Sequence, residues 1–184
     1  MHLEYQTPFV GLLMSPSDFL EVARDPARWL DATLTFTSTS RFPSAKDLRD
    51  GFDFPIGLLD GEVEIKFIHY GSEREAREKW SRRRDKVSFD HMLFKFSGDT
   101  KNYPVPDELL VAFDGLPGRG VCFTSRPRPD LRKGVYVPNF TWDGALMYRR
   151  CLATFDPIDW VNGGNGRAGV LDRVVNVTLN SFRG

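Results

Sequence analysis

The chain has 184 residues and a mass of 21.0 kDa, which suits one domain with at most a small appendage. Hydrophobic residues make up 41% of the sequence and charged residues 27%, a balance that excludes disordered, collagen-like and low-complexity chains. The formal net charge is zero, whereas a nucleic-acid-binding domain is usually basic throughout. We therefore expect a globular protein without a nucleic-acid partner.

Signals for a membrane span or for secretion are missing from the sequence. No apolar run approaches the roughly 20 residues that a transmembrane helix needs, and Glu4 stands where a secretory signal would carry basic residues. The two cysteines, Cys122 and Cys151, are too few for a disulfide framework. These features predict a cytoplasmic protein with no membrane span, and they leave its oligomeric state open.

The charges are distributed unevenly along the chain. Residues 1–65 carry 11 acidic and 5 basic side chains, residues 66–86 carry 8 basic and 4 acidic ones, and residues 117–150 carry 7 basic and 2 acidic ones. Two local basic zones in a neutral chain favour a small anionic ligand, such as a phosphate or diphosphate. An ordinary solvated surface is the alternative.

The first third of the chain predicts a strand, two short helices and a second strand. An apolar run over residues 9–14 predicts a short buried strand. Ser15 is a typical helix N-cap with a proline after it, and Asp25 repeats the same signal before a second helical turn. Threonines alternate with apolar residues over residues 33–37, which predicts a strand. Residues 41–55 are polar and irregular.

The clearest predicted strand covers residues 62–69. Apolar residues alternate there with charged ones, which is the period of a sheet with one face in solvent. The helix that follows begins with a capping box, in which Ser72 and Glu75 each satisfy a free backbone N–H of the first turn. Trp80 lies on the apolar stripe of this helix. The alternating residues of the strand are Val63, Ile65 and Phe67 on the apolar face and Glu62, Glu64 and Lys66 on the solvent face.

The second half of the chain continues this alternation of strands and helices, which predicts an α/β fold with parallel pairing. We expect three layers, a mostly parallel sheet with flanking helices. Residues 1–162 are predicted to form this domain, and residues 163–184 a glycine joint with a terminal strand over residues 173–179. Further strands are predicted over residues 92–96, 121–124 and 135–137, and a helix over residues 106–113.

Ten residues are predicted to fill the core, and three more to shape it. Pro55 and Gly57 are expected to form a turn before the main strand, because proline fixes φ and glycine lacks a Cβ. Trp160 is expected to close the core beside the glycine joint. The predicted core residues are Val63, Ile65, Phe67, Trp80, Leu93, Phe94, Leu109, Phe113, Val121 and Phe123.

The candidate functional residues lie where the main strand passes into the helix. His69 and Tyr70 end the strand and Ser72 begins the helix, and in open α/β sheets ligands bind at the carboxyl ends of strands. A helix N-terminus favours an anion, and a histidine can act as a general acid or base near neutral pH. We predict His69 as the catalytic acid/base residue, Tyr70 as a contact to the ring of a bound ligand, and Ser72 as part of the anion site.

Arg83 is the fourth candidate. The three consecutive arginines at 82–84 point about 100° apart on a helix, so they cannot all face one site. Arg83 follows Trp80 by three residues and is the best placed to face inward, toward a phosphate or a carboxylate. It lies about three helical turns from Ser72, so it can instead hold the helix to a buried carboxylate. The alternative for all four residues is a conformational lock around the strand-to-helix turn.

Common catalytic motifs are absent from the sequence. It has no Walker loop, no dinucleotide-binding glycine fingerprint in a strand-to-helix turn and no Gly-x-Ser-x-Gly elbow of a serine hydrolase. The two cysteines and three scattered histidines do not have the spacing of a zinc site. We therefore expect no metal and no cofactor.

Four stretches form a distinctive pattern: Pro-Ile-Gly at 55–57, Phe-Ile-His-Tyr-Gly-Ser-Glu-Arg-Glu-Ala at 67–76, Lys-Trp-Ser-Arg-Arg at 79–83 and Asp-His-Met-Leu-Phe at 90–94. Tyr-Gln-Thr-Pro at 5–8 with Gly11, and Phe-Asp-Pro-Ile-Asp-Trp-Val-Asn at 155–162, extend it. The pattern resembles a bacterial family, the domain of unknown function nineteen-nineteen, whose members are often labelled exopolysaccharide biosynthesis proteins.

This resemblance implies a pathway, surface polysaccharide assembly, more than a reaction. Family members usually begin with an additional strand and an Asn-Asn-Cys segment. The present chain starts too late to include them, so we expect the first strand of the family to be missing. Lys86, Ser88 and His91 also stand where the family tends to have Arg, Asn and Asn.

Three functions fit these expectations. The first is a glycosyltransferase-like enzyme that uses a nucleotide-activated sugar. Because no Asp-x-Asp metal motif occurs, basic side chains and a helix N-terminus would hold the diphosphate. The second is a non-catalytic accessory or sugar-nucleotide-binding module of a glycan gene cluster, which the missing strand favours. The third is acyl transfer to a glycan with His69 as the base. The expected partner is a nucleotide-sugar or another anionic small molecule.

Overall fold

The computed structural model describes residues 7–9, 11–42, 54–101, 104–142 and 145–167. The chain divides after Met92 into two compact units, called here the first and the second unit. None of the helices in the described ranges is long and apolar enough to cross a membrane. In chain order the elements are α1 (Pro16–Arg24), α2 (Pro26–Asp31), β1 (Leu34–Thr37), β2 (Ile56–Leu59), β3 (Val63–Lys66), α3 (Glu73–Arg84), a short 3-10 helix (Phe89–His91), β4 (Leu93–Asp99), α4 (Asp107–Asp114), β5 (Arg119–Thr124), β6 (Gly134–Tyr136), α5 (Ala145–Leu152) and α6 (Pro157–Val161).

The predicted α/β class is confirmed, and the second unit has the expected layers. Its strands β4, β5 and β6 form a parallel sheet, with α4 as the crossover from β4 to β5. On one face of this sheet, the Phe96 ring packs on Phe113 of α4, with ring centroids 5.1 Å apart. On the other face, Phe123 lies in a buried cluster with Met147 of α5. Helices therefore cover both faces, as parallel sheets require.

The sheet of the first unit is antiparallel, with the order β1-β2-β3. β2 and β3 are joined by a tight turn, in which Asp60 and Gly61 have φ of 47° and 75° and the Glu62 N–H donates to the Leu59 carbonyl at 2.9 Å. Asp-Gly is typical of this turn because both central residues need a positive φ. The expected parallel partnership of the main strand is corrected here, since β3 and β4 belong to different sheets.

The prediction that β3 has one face in solvent is wrong. Its charged residues Glu64 and Lys66 are 0% exposed, as buried as the apolar Val63 and Ile65 between them. The strand is also shorter than residues 62–69, because it ends at Lys66. β3 is therefore buried on both faces, and its two charges are satisfied by protein groups described below.

The helix starts predicted in the first unit are confirmed. Ser15 Oγ accepts a hydrogen bond from the Asp18 N–H at 3.0 Å at the start of α1, and the Asp25 carboxylate accepts one from Arg28 N–H at 3.1 Å at the start of α2. The strand predicted over residues 9–14 is reduced to one bridge. Leu13 exchanges two backbone hydrogen bonds of 2.9 Å with β3.

Gly57 lies inside β2 and not in a turn, which corrects the expectation for Pro55 and Gly57. A Cβ at this position would lie 2.7 Å from Leu34 Cδ1 and 2.8 Å from Phe67 Cε2. Both distances are shorter than carbon contacts allow, so the missing side chain lets β1 and the end of β3 close over β2. Pro55 precedes β2, and its carbonyl accepts the Phe67 N–H at 2.9 Å.

Most of the predicted core is confirmed, and Trp160 packs as expected. Its ring centroid lies 5.6 Å from that of Phe155, beside Gly166, whose φ is 67°. The predicted strand at residues 173–179 lies outside the described residues, so the domain boundary at 162 stays a prediction. Of the ten core candidates, the half-buried ones are Leu93, Phe94 and Leu109, and the buried ones are Val63, Ile65, Phe67, Trp80, Phe113, Val121 and Phe123.

Replacing Trp80 with alanine should destabilise the first unit severely. The indole is buried and contacts the rings of Phe9 and Phe67, at centroid distances of 5.6 and 6.3 Å. A cavity of this size costs about 3–5 kcal/mol in the free energy of unfolding, measurable by urea denaturation. Arg74→Ala, on the same helix with a side chain 86% exposed, is the matched control, with an expected change within about 0.5 kcal/mol. A cost below about 1 kcal/mol for Trp80→Ala would contradict this packing.

Candidate functional site

Three of the four residues predicted as a site, His69, Tyr70 and Ser72, lie between β3 and α3 in the first unit, and Arg83 lies in the last turn of α3. Ser72 Oγ accepts the Glu75 N–H at 3.2 Å, and Glu75 Oε2 accepts the Gly71 N–H at 2.9 Å. Glu75 therefore reaches back one residue further than in the predicted capping box. A hydrogen bond from Lys79, at 2.6 Å, holds the pKa of Glu75 below its ordinary value. Because the helix already supplies these acceptors, its N-terminus has fewer N–H groups left for an external anion.

Tyr70 and Arg83 are in direct contact. Arg83 Nη1 donates a hydrogen bond of 2.7 Å to the Tyr70 hydroxyl, which joins the last turn of α3 to the connection between β3 and α3. The Tyr70 ring is buried edge-on against Phe67, with centroids 5.3 Å apart. This arrangement supports the conformational lock that the sequence left open. The contact of Tyr70 with a ligand ring and that of Arg83 with a phosphate stay predictions.

His69 is exposed and lies beside Gly11. A Cβ on Gly11, whose φ is 74°, would be 3.2 Å from His69 Cδ2. Because β3 belongs to an antiparallel sheet, the rule that ligands bind at the carboxyl ends of parallel strands does not support a site at His69. Its role as an acid or base stays a prediction.

A second group of polar residues lies where that rule does apply, at the carboxyl ends of β4 and β5. Asp99 ends β4 and is in register with Thr124, which ends β5, and both residues are buried. Ser125 and Arg126 follow directly, and the Ser125 N–H donates to the Asp99 carbonyl at 2.7 Å. We call Asp99, Thr124, Ser125 and Arg126 the strand-end cluster.

The Asp99 carboxylate organises this cluster. Ser125 Oγ lies at hydrogen-bond distance, 3.2 Å, from Asp99 Oδ2, and Arg126 Nε lies 3.4 Å from the same oxygen. The Arg126 side chain is 53% exposed and also pairs with Asp107 in the first turn of α4. A buried carboxylate thus holds a hydroxyl and a half-exposed guanidinium at the edge of the sheet. A guanidinium offers paired donors that match the oxygens of a phosphate.

Two further cations flank the strand-end cluster. Lys101 Nζ donates to Asn139 Oδ1 at 2.8 Å, which connects the segments that follow β4 and β6. Arg128 is bound by Asp107 and, through two nitrogens, by Asp130. The hydrogen bonds that Arg128 donates to the Asp130 carboxylate raise the pKa of Arg128. The side chain of Arg128 is far less exposed than that of Arg126, so its role is to hold the β5–β6 connection.

Sequence reasoning missed the strand-end cluster, although the sequence carries a signal for it. Polar residues stand at the ends of the apolar strands, with Asp99 and Thr100 at the end of β4 and Ser125 and Arg126 directly after β5. The alternation of apolar and charged residues is clearer in β3 than in these strands, and it therefore indicates β3 first. The basic zone at residues 117–150 does contain Arg126.

Neither cysteine is suited to act as a nucleophile. Burial raises the pKa of the Cys122 thiol to about 12 and that of the Cys151 thiol to about 11. Both therefore stay protonated at neutral pH, and the thiolate is the reactive form. In the part of the chain that the structure describes, no group of three or more His, Cys, Asp or Glu side chains could hold a metal ion.

The comparisons with known proteins identify the family. The family model of DUF1919, a domain of unknown function, matches residues 1–162. The chain belongs to the DUF1919 family. An uncharacterized protein of Haemophilus influenzae is similar to this DUF1919 protein, with 30% identity over 176 residues that cover 88% of this chain and 76% of the relative. The predicted family is confirmed, and neither description mentions exopolysaccharide, so the function has to be argued from the residues.

Tyr70→Phe should destabilise this DUF1919 protein measurably. The change removes the hydroxyl that accepts the hydrogen bond from Arg83 and leaves the buried ring in place. Hydrogen bonds to charged groups contribute about 1.5–3 kcal/mol, so the melting temperature should fall by several degrees. His69→Gln is the control, because His69 is exposed and its loss should leave the melting temperature nearly unchanged. Equal melting temperatures for Tyr70→Phe and the wild type would contradict the lock.

Both thiols should resist modification in the native protein. At pH 8 the reaction of Ellman's reagent with Cys122 and Cys151 should be slower by about 100-fold or more than in the urea-unfolded chain, because the raised pKa of each thiol removes its thiolate. The measurement is the absorbance of the released thionitrobenzoate against time. Rapid titration of one thiol in the folded state would show an accessible thiolate.

Proposed function

We propose that this DUF1919 protein binds a nucleotide-activated sugar at the strand-end cluster and acts as a glycosyltransferase-like enzyme in surface polysaccharide assembly. One observation carries the proposal: the buried Asp99 carboxylate presents a hydroxyl and a half-exposed guanidinium at the carboxyl edge of a parallel sheet. This edge is the usual ligand position in α/β folds. The pathway follows from the family resemblance.

The chemistry of the cluster suits a diphosphate. Arg126 is held by the buried Asp99 on one side and by the exposed Asp107 on the other. An exposed ion pair contributes only about 0–1 kcal/mol, so a diphosphate can replace Asp107 at little cost. Asp99 remains in place and keeps the guanidinium oriented. Ser125 adds a hydroxyl that can bond a phosphate oxygen or a sugar hydroxyl.

In a transfer reaction, the bond between the sugar C1 and the diphosphate oxygen breaks and the acceptor oxygen bonds to C1. The departing diphosphate gains negative charge, which the Arg126 guanidinium can stabilise. The acceptor hydroxyl loses its proton to a base. Water takes up this proton, because the strand-end cluster has no evident base of its own.

A non-catalytic binding module is the second candidate, and one observation favours it. Asp99 is buried and already bonded to Ser125 and Arg126, so it is better placed to orient Arg126 than to accept a proton from a substrate. The strand-end cluster thus provides binding groups without an evident base of its own. On this alternative, the protein holds a sugar nucleotide for another component of a glycan gene cluster.

A thermal-shift screen with nucleotide sugars tests the proposal. A ligand at 100 times its Kd stabilises the folded protein by about 2.7 kcal/mol, so a true ligand should raise the melting temperature by several degrees. Arg126→Gln should abolish this shift, because it removes the cation from the diphosphate. Arg149→Gln is the matched control, since Arg149 is also exposed and lies on α5 of the same unit.

The possible results separate the two candidates. A shift accompanied by release of the nucleoside diphosphate supports the transferase. A shift without turnover toward any acceptor supports the binding module. If no nucleotide sugar raises the melting temperature, or if Arg126→Gln binds as well as Arg149→Gln, the proposal is wrong.

A further inference from the structure

Strand β3 carries two charged side chains that are fully buried on one face of the sheet. Glu64 and Lys66 are each 0% exposed, and as residues two apart on a strand they point in the same direction. Burying a charge is costly unless it is paired and hydrogen-bonded. One short segment, residues 40–42, provides hydrogen-bond partners for both side chains, and we call it the strap.

The strap forms hydrogen bonds with both buried charges through one hydroxyl, one backbone N–H and one backbone carbonyl. Ser40 Oγ donates to one oxygen of the Glu64 carboxylate and the Arg41 N–H donates to the other, both at 2.7 Å. Lys66 Nζ donates to the Phe42 carbonyl at 2.6 Å and lies 4.3 Å from the centroid of the Phe42 ring. An O–H, an N–H and a carbonyl oxygen therefore meet the two charges from the same side.

The strap itself lies at the surface. Arg41 is exposed, and Ser40 and Phe42 are half-buried, so Glu64 and Lys66 lie one layer below the solvent. The ion pairs that Arg41 adds are long, 3.7 Å to Asp18 and 3.7 Å to Glu64. Asp18 also accepts the backbone N–H of Glu64 at 3.2 Å, which keeps the strand fixed independently of the strap. Displacing these three residues would therefore remove two hydrogen bonds from Glu64 and one from Lys66 without breaking the sheet.

The groups that the strap presents match those of an acetamido sugar. In a 2-acetamido sugar, a ring hydroxyl stands next to the amide N–H, so both can donate to the two oxygens of one carboxylate, as Ser40 and Arg41 do here. The amide carbonyl can accept from an ammonium, as the Phe42 carbonyl does from Lys66. A sugar without the acetamido group lacks the N–H and the carbonyl.

We propose that Glu64 and Lys66 form a binding site for an acetamido sugar, and that the strap occupies this site when the sugar is absent. The site lies in the first unit and uses no residue of the strand-end cluster. A negative result for this site therefore does not contradict nucleotide-sugar binding in the second unit, and the reverse also holds. The binding-competent state is the one with the strap displaced, so the measured affinity is lowered by the fraction of molecules in which the strap is closed.

Isothermal titration calorimetry with N-acetylglucosamine tests the site. Glucose, which lacks the acetamido group, is the comparison ligand. The wild-type protein should bind N-acetylglucosamine at least 10-fold more tightly than glucose. Ser40→Ala should raise the affinity several-fold, because it weakens the strap and leaves Glu64 and Lys66 unchanged. Glu64→Gln should lower the affinity at least 10-fold, whereas the matched control Glu62→Gln, with a side chain 64% exposed, should leave it unchanged.

Hydrogen exchange gives a second measurement that needs no substitution in the buried pair. N-acetylglucosamine should accelerate exchange of the Arg41 amide, because the sugar releases this N–H from Glu64. Arg126→Gln should bind N-acetylglucosamine as the wild type does, which separates this site from the strand-end cluster. The sugar site is wrong if Ser40→Ala lowers stability without raising the affinity for N-acetylglucosamine. It is also wrong if neither the wild type nor Ser40→Ala binds N-acetylglucosamine more tightly than glucose. Binding of N-acetyl-seryl-arginine amide instead of the sugar would likewise contradict the sugar site and would give the strap another role.

Discussion

The turn at Asp60 and Gly61 determines which sheet the main strand joins. A connection of three residues can only bring β3 back antiparallel to β2, whereas a parallel neighbour requires a crossover of a dozen residues or more. In the second unit, α4 provides such a crossover between β4 and β5. Strand ends can therefore meet at one edge of a parallel sheet in the second unit, and the strand-end cluster lies there.

Both proposed sites depend on a buried carboxylate fixed on a strand. Asp99 is held at the end of β4 and Glu64 within β3, and each accepts hydrogen bonds from a serine hydroxyl and lies near an arginine. The difference lies in what covers them. Arg126 leaves a polar surface open beside Asp99, whereas residues 40–42 cover Glu64. The first arrangement is ready to bind a ligand, and the second has to open first.

Local signals in the sequence predicted the elements well, and non-local contacts account for the failures. The caps at Ser15, Asp25 and Ser72 involve neighbours within three residues, so their chemistry is readable from the sequence. The burial of Glu64 depends on Ser40, 24 positions earlier, and the contact of Asp99 with Ser125 spans 26 positions. Alternation of charged and apolar residues indicates a strand but does not show what will cover its charged face.

Gly57 restricts how this sequence can change over evolutionary time. The space that a Cβ would occupy is already filled by Leu34 from β1 and by Phe67 beyond β3. Any larger residue at this position therefore requires the ends of the Leu34 and Phe67 side chains to move away. Alanine or serine is accommodated more easily when one of these neighbours becomes smaller, so the three positions are coupled. In a set of related sequences, such coupled substitution would mark the closure of the first sheet even where overall similarity has been lost.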